Sequence, residues 1–368
     1  MPVPVPEPVP PPRRRSSSVS RPADPVLTVD GLDVTVSGGA HAVRGVSFTL
    51  GRGESVGLVG ESGSGKSLTC RSALGVLPAG CEVSGGRITL AAGDTDRVAE
   101  LTSYTRKQWD AVRGRRIGAV FQDPASYLNP SLTVGRQLVE QLRVGRGLGR
   151  AEAHARSVEL FTAVGLRRPE EVFHQYPHEL SGGMLQRVLI AIAVSCAPEL
   201  LIADEATTAL DVVIQAEILE LLQRLRAEQG LALLLVTHDL AVVAESCDRV
   251  LVMYAGEIVE DGPTAEVLAA PAHPYTEALL RVASIGEWGR RTLDIIPGRP
   301  PETGAELPGC RFADRCGHAA ARCLEAPVAL HPLDDGHRAR CLRPAGVLDA
   351  SPKPVTVPAA PVSQGATA

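Results

Sequence analysis

At 368 residues the chain is too long for one small domain, and length alone suggests about two or three. Apolar residues make up 44% and charged residues 21%, as in soluble globular proteins, while a net charge of -5 gives no basic footprint for nucleic acid. Apolar stretches such as Leu231 to Val236 fall far short of the roughly 20 residues that span a bilayer, and the Pro-rich start has no apolar signal segment, so the chain is expected to remain in the cytoplasm.

Residues 1–25 are rich in Pro, Ser and Arg and, like residues 346–368, cannot bury apolar surface; both ends are read as disordered tails. From 26 to 270, short β-rich runs (Ser55 to Val59, Ile117 to Phe121, Leu200 to Ala203, Leu233 to Val236, Val250 to Tyr254) alternate with helical stretches. That alternation predicts an α/β domain with a mostly parallel sheet covered by helices. Between Thr133 and Glu179 only helical periodicity is found (Val134 to Leu142, Ala151 to Val164), which predicts a helical insertion over about 125–195. Residues 271–345 turn to Pro, Gly, His and Cys with weak periodicity and are expected to form a separate, loop-rich appendage.

The apolar run Val56-Gly57-Leu58-Val59 leads into Gly60-Glu61-Ser62-Gly63-Ser64-Gly65-Lys66-Ser67, which fits the phosphate-loop pattern and opens a helix predicted to reach Leu77. Gly60, Ser62, Gly63, Ser64 and Gly65 let backbone N–H groups surround phosphate oxygens at the helix N-terminus. Lys66, one of three lysines in the chain, can reach the β and γ phosphates, and the Ser67 hydroxyl can ligate magnesium. The run Leu200 to Ala203 ends in Asp204-Glu205, and acids at that end of a parallel strand point into the ligand crevice. There Asp204 can hold magnesium while Glu205 polarises the water that attacks the γ-phosphate. A further run ends in Thr237-His238-Asp239; alone, His238 would be an ordinary histidine, but beside two matching strand ends it is a candidate site residue. Leu180-Ser181-Gly182-Gly183-Met184 precedes a helix predicted over Leu185 to Ser195, a second helix N-terminus suited to an anion.

Leu180 to Met184 matches four of the five positions of Leu-Ser-Gly-Gly-Gln, and here the chain resembles the ATP-binding cassette (ABC) ATPases. Gln122 in Phe121-Gln122-Asp123-Pro124, Asp211 in Ala209-Leu210-Asp211, and His238 appear in family order. The resemblance implies a P-loop NTPase fold using ATP and Mg2+. It also implies a head-to-tail pair of cassettes, in which ATP on one phosphate loop is capped by Ser181, Gly182 and Gly183 of the other subunit. In that arrangement Gln122 senses magnesium and the attacking water, His238 holds the γ-phosphate, and Asp211 lies at the dimer seam. His41 stands where the family usually offers an aromatic that stacks on adenine. Ala206 replaces a frequent Pro and Leu185 a frequent Arg, and neither change removes a catalytic group.

Ser126 to Pro130, Tyr176 to Leu180, His273-Pro274-Tyr275-Thr276 and Leu307 to Phe312 look like the oligopeptide and dipeptide importers, extending the resemblance over residues 26–344. The resemblance implies an energy-coupling ATPase on the cytoplasmic face of the inner (plasma) membrane. Its implied partners are two transmembrane permease subunits, a second ATPase subunit forming a heterodimer, and an extracytoplasmic substrate-binding protein. Peptides are the expected cargo; nickel, opine and glutathione importers are related alternatives. A soluble ABC ATPase of translation or DNA repair would carry two fused cassettes or coiled-coil arms, and a regulatory subunit would lack Glu205 or His238. The chain shows neither pattern.

Cys310, Cys316, Cys323 and Cys341, with 5, 6 and 17 residues between them, gather half of the eight cysteines into the appendage. Their spacing lacks the paired two-residue gaps of a zinc ribbon. Some importers of this branch carry a [4Fe-4S] cluster in this extension, so an iron-sulfur cluster, zinc and metal-free thiols are the readings open at this point. Cys70, Cys81, Cys196 and Cys247 are scattered and read as small buried hydrophobes.

Overall fold

The computed structural model describes residues 25–91, 99–206, 211–283, 295–334 and 336–342. The two tail expectations therefore lie outside the described residues, apart from Pro25, which opens the first strand. Strands β1 (Pro25–Val36), β2 (Ala40–Gly51) and β3 (Ser55–Val59) precede helix α1 (Lys66–Leu74). Then come β4 (Glu82–Leu90), β5 (Ala99–Glu100), the short α2 (Arg106–Asp110) and β6 (Ile117–Phe121). Helices α3 (Pro124–Tyr127), α4 (Val134–Arg146), α5 (Arg150–Ala163), α6 (Pro169–Phe173) and α7 (Gly182–Val194) lead to β7 (Leu200–Asp204). After α8 (Val212–Gln229), β8 (Ala232–Val236), α9 (Leu240–Ser246), β9 (Arg249–Tyr254) and β10 (Glu257–Pro263), the chain forms α10 (Thr264–Ala269) and α11 (Pro274–Ala283). It closes with α12 (Arg322–Glu325), β11 (His331–Asp334) and β12 (His337–Ala339).

The five β-rich runs of the sequence become β3, β6, β7, β8 and β9, neighbours in one sheet of order β11-β12-β10-β9-β3-β8-β7-β6. They run parallel to one another, while β10, β12 and β11 add antiparallel at one side. β3, β7, β8 and β9 are buried throughout, which is why they read as unbroken apolar runs: a parallel sheet is covered on both faces. Alternate residues of these strands go to different layers. Val56, Leu58, Ile202, Leu234 and Leu251 pack with α1 and the strands β1, β2 and β4, whereas Leu201, Ala203, Leu233, Leu235 and Val252 pack with α7, α8 and α9.

The sequence did not announce the second sheet, an antiparallel one of order β2-β1-β4-β5. Register shifts between Val29 and Leu32 and again before Val34 break the two-residue period of β1, so its apolar positions do not alternate cleanly. Two helix bounds also differ from expectation. α1 stops at Leu74 rather than Leu77 because Gly75 turns left-handed (φ 60°), and a Cβ there would stand 2.3 Å from the Trp109 ring. α7 starts at Gly182, three residues earlier than expected, since the Ser181 hydroxyl already accepts the Met184 N–H (3.4 Å).

The appendage is not separate. β12 pairs with β10 in the central sheet, and the seam is stapled by buried charge. Arg249 and Asp261 form a two-pronged pair (2.6 and 2.8 Å), and Arg338 joins Asp261 from β12. The buried Glu260 carboxylate accepts the N–H groups of Ala272 and His273 (2.6 and 2.9 Å) and lies 2.8 Å from His337 Nε2. Buried carboxylates so fully partnered hold the two parts in one register, because leaving either acid without its partner in the interior is strongly destabilising.

Candidate active site

One row of the sheet register explains the site. Leu58 pairs with Val236, Val236 with Asp204, and Asp204 with Phe121, so four parallel strands end level with one another. The residues that follow are the phosphate loop after Val59, His238 after Val236, Glu205 after Asp204, and Gln122 after Phe121. Motifs that the sequence spreads over more than a hundred residues thus meet at the carboxyl edge of the sheet, where open α/β sheets bind ligands.

The loop is shaped by its glycines. Gly60 has φ 153°, and a Cβ on it would stand 2.1 Å from the Met253 carbonyl oxygen; Gly65 caps α1 at φ 106°, tight against Ala42 of β2. The Lys66 ammonium is buried and donates to the carbonyls of Gly60 (2.7 Å) and Glu61 (2.9 Å). Burial pushes this ammonium below its ordinary value, against the pull of Glu205 and Asp204. The Ser67 hydroxyl donates to Asp204 Oδ1 at 3.0 Å, and burial raises the Asp204 carboxyl while that hydrogen bond and Arg71 pull it down. A close glycine cradle, a buried ammonium and a hydroxyl–carboxylate pair fit a magnesium-bound nucleotide.

Glu205 sits at φ 50°, a left-handed conformation uncommon for a side-chain-bearing residue, and its N–H donates to the Val236 carbonyl (2.9 Å). His238 Nδ1 lies 3.7 Å from Glu205 Oε1, which places the imidazole and the carboxylate together at the rim. Gln122 is exposed at the end of β6, next to Asp123, which caps α3 by accepting the Ala125 N–H. His41 is exposed on β2, 3.9 Å from Asp33 and one residue from the Ala42 carbonyl that abuts Gly65.

Ser181 and Gly182 are exposed at the start of α7, and a Cβ on Gly183 would stand 2.8 Å from Ile214 of α8. Asp211 caps α8 by accepting the Ile214 N–H (3.0 Å), a local role the sequence reading did not assign; Ala209 and Leu210 of its motif lie outside the described residues. Two further residues touch the phosphate loop: Tyr275, which the sequence offered only as part of a branch motif, and Arg315, which it did not single out. The Glu61 N–H donates to the Tyr275 hydroxyl (2.7 Å), and the Arg315 guanidinium grips the Glu61 carboxylate at 2.7 and 2.9 Å. No local pattern could have found them, since 214 and 254 residues separate the partners.

Cys310, Cys316, Cys323 and Cys341 line one pocket with Phe312, Ala313, Val328 and Leu342, and none of the eight cysteines forms a disulfide. Burial pushes the Cys310 thiol up to about 11, with the other three cysteines adding to the shift. Among the described residues no three His, Cys, Asp or Glu side chains gather closely enough to hold a single metal ion. Of the scattered cysteines, Cys70 and Cys247 are buried as expected, whereas Cys81 and Cys196 are partly exposed.

Comparison with known proteins places these features. The ABC transporter family model matches residues 43–208, and the model for the C-terminal region of oligopeptide/dipeptide transporters matches residues 259–323. The chain is 45% identical over 303 residues to the oligopeptide transport ATP-binding protein AppD of Bacillus subtilis, covering 82% of this chain and 90% of that protein. It is 42% identical over 324 residues to the probable D,D-dipeptide transport ATP-binding protein DdpD of Escherichia coli, covering 87% and 97%. Among solved structures, cbiO1 of Clostridium perfringens, part of the ABC transporter complex cbiONQ, superposes with a TM-score of 0.57 at 31% identity, covering 67% of this chain and 91% of that one. The ATP-binding cassette MJ0796, seen as a dimer bound to ADP and Pi, gives a TM-score of 0.56 at 26% identity over 65% and 98%. The chain therefore belongs to the ATP-binding subunits of ABC transporters, in the oligopeptide and dipeptide branch, and is an ABC-type ATPase.

Proposed function

We propose that the chain hydrolyses ATP to drive import of oligopeptides or dipeptides through two permease subunits supplied by an extracytoplasmic binding protein. The observation that carries this reading is the C-terminal extension. Residues 259–323 match the oligopeptide/dipeptide transporter region, and they include most of β10, which pairs with β9 in the central sheet, as well as Tyr275 and Arg315, which touch the phosphate loop. Relatives named for oligopeptide and D,D-dipeptide transport support the same cargo. In this reading the subunit works at the cytoplasmic face of the membrane and its partners supply the pore; among the described residues no helix is long and apolar enough to cross a membrane.

In this reading the backbone of Gly60 to Gly65 and the Lys66 ammonium hold the phosphates, while Ser67, Asp204 and Gln122 hold Mg2+. Glu205 polarises the attacking water, His238 holds the γ-phosphate, and His41 stacks on adenine. Ser181, Gly182 and Gly183 cap the ATP of a second, different cassette, with Asp211 at the seam. Support for that seam comes from Val212 and Val213, which stand 81% and 69% exposed beside the signature segment, an apolar surface suited to a partner. Cys310, Cys316, Cys323 and Cys341 ligate a [4Fe-4S] cluster that staples the extension. Their convergence on one apolar pocket supports this.

Uptake of a radiolabelled tripeptide by cells lacking the gene tests the proposal. Uptake is expected to vanish and to return with the wild-type chain but not with a Glu205→Gln variant. Unchanged peptide uptake together with lost nickel, opine or glutathione uptake would reassign the cargo.

A further inference from the structure

We propose that the C-terminal extension sets the conformation of the phosphate loop, with Arg315 and Tyr275 as its positioning residues. Glu61, the second residue of the loop, is held at all three of its polar groups. Its carbonyl accepts from Lys66 (2.9 Å), its N–H donates to the Tyr275 hydroxyl (2.7 Å), and its carboxylate takes both prongs of Arg315 (2.7 and 2.9 Å). Two of the three holders belong to the extension.

Both holders are themselves fixed. Tyr275 is fully buried, and its ring packs 4.6 Å from Tyr254 and 5.4 Å from Phe312. The Arg315 side chain is 4% exposed and is pinned from the far side by the carbonyls of Pro297 (2.9 Å) and Ile296 (3.2 Å), with the Tyr254 hydroxyl at 3.3 Å. A guanidinium so enclosed has little rotamer freedom left, and a two-pronged pair fixes the direction as well as the distance of its carboxylate. Pro300 to Thr303 of the extension also face Glu61 to Ser64 across a narrow pocket. The loop is therefore shaped from outside the cassette as well as by its own glycines.

Arg315 and Tyr275 touch the loop and not the reacting atoms, so the expected signature is on ATP binding rather than on the chemical step. In the full chain assembled with its transporter partners, Arg315→Met is expected to raise KM for ATP about tenfold, the effect of releasing about one residue of backbone order, with kcat changing less than twofold. Arg315→Lys keeps the charge but loses the fork and should recover part of the affinity. Because both groups act through one contact, Glu61→Gln combined with Arg315→Met should be no worse than the more severe single variant. If Arg315→Met prevents folding, Tyr275→Phe, which removes only the hydroxyl, decides the matter by the same rise in KM. The proposal is overturned if a folded Arg315→Met or Tyr275→Phe protein binds a fluorescent ATP analogue with wild-type affinity. Fully additive losses in the double variant would overturn it equally, since they would assign Arg315 a general structural role.

Discussion

A buried ammonium persists only where polar groups compensate it, and Lys66 has two carbonyls in direct contact with Asp204 and Glu205 nearby. In the proposed site Lys66→Ala removes phosphate contacts made already in the ground state, each charge-assisted bond being worth about 2 kcal/mol, so ATP affinity should fall roughly thirtyfold and turnover with it. Titration with a fluorescent ATP analogue measures this, and unchanged affinity would remove Lys66 from phosphate binding. Glu205 behaves differently. Its left-handed backbone, locked by the Val236 carbonyl, costs about 1–3 kcal/mol and is the kind of strain kept at reacting centres. Glu205→Gln keeps the shape and loses the carboxylate, so hydrolysis should drop by about 10²–10⁴-fold while ATP still binds and a nucleotide-bound pair accumulates on a sizing column. Near-normal turnover would exclude Glu205 as the group that polarises water.

Ser181 joins two links at the scale of the element: it caps α7 and stands exposed, and the proposed pairing sets it against a partner's nucleotide. Ser181→Ala should leave ATP binding by the isolated chain unchanged yet reduce steady-state hydrolysis by the pair about tenfold, the worth of one lost charged hydrogen bond. Loss of binding by the isolated chain would place the signature segment in the wrong site. The strands β3, β7, β8 and β9 were legible in the sequence because burial on both faces demands unbroken apolar runs, and the acids and histidine at their ends followed from that. β1 and β2 were not legible, since bulges disturb their alternation, and β12 was hidden because three residues among prolines and cysteines carry no periodic signal. The contacts of Tyr275 and Arg315 with the phosphate loop were hidden for another reason: a contact spanning more than two hundred residues leaves no local trace.

For the whole molecule, cassette and extension share one sheet, one buried charge network and the phosphate loop itself. Reading the appendage as separate implies that damage to its cysteines spares ATP binding; the Arg315 contact implies instead that the two are linked. If the four thiols ligate a [4Fe-4S] cluster, anaerobically purified protein is brown and holds about four irons per chain. Cys323→Ser should then lose the iron, loosen residues 300–342 in hydrogen exchange, and weaken ATP binding. Anaerobic metal analysis finding neither iron nor zinc, with all four thiols alkylated in folded protein, would remove the cluster and leave the ATPase intact. In the proposed function this chain's ATP hydrolysis powers peptide import. Peptide accumulation in proteoliposomes holding the assembled transporter measures this, with peptide and binding protein outside and ATP enclosed with the cassettes. ATP-dependent accumulation is expected, and Glu205→Gln in this chain should abolish it; accumulation that proceeds unchanged with that variant would show that hydrolysis by this chain does not power import.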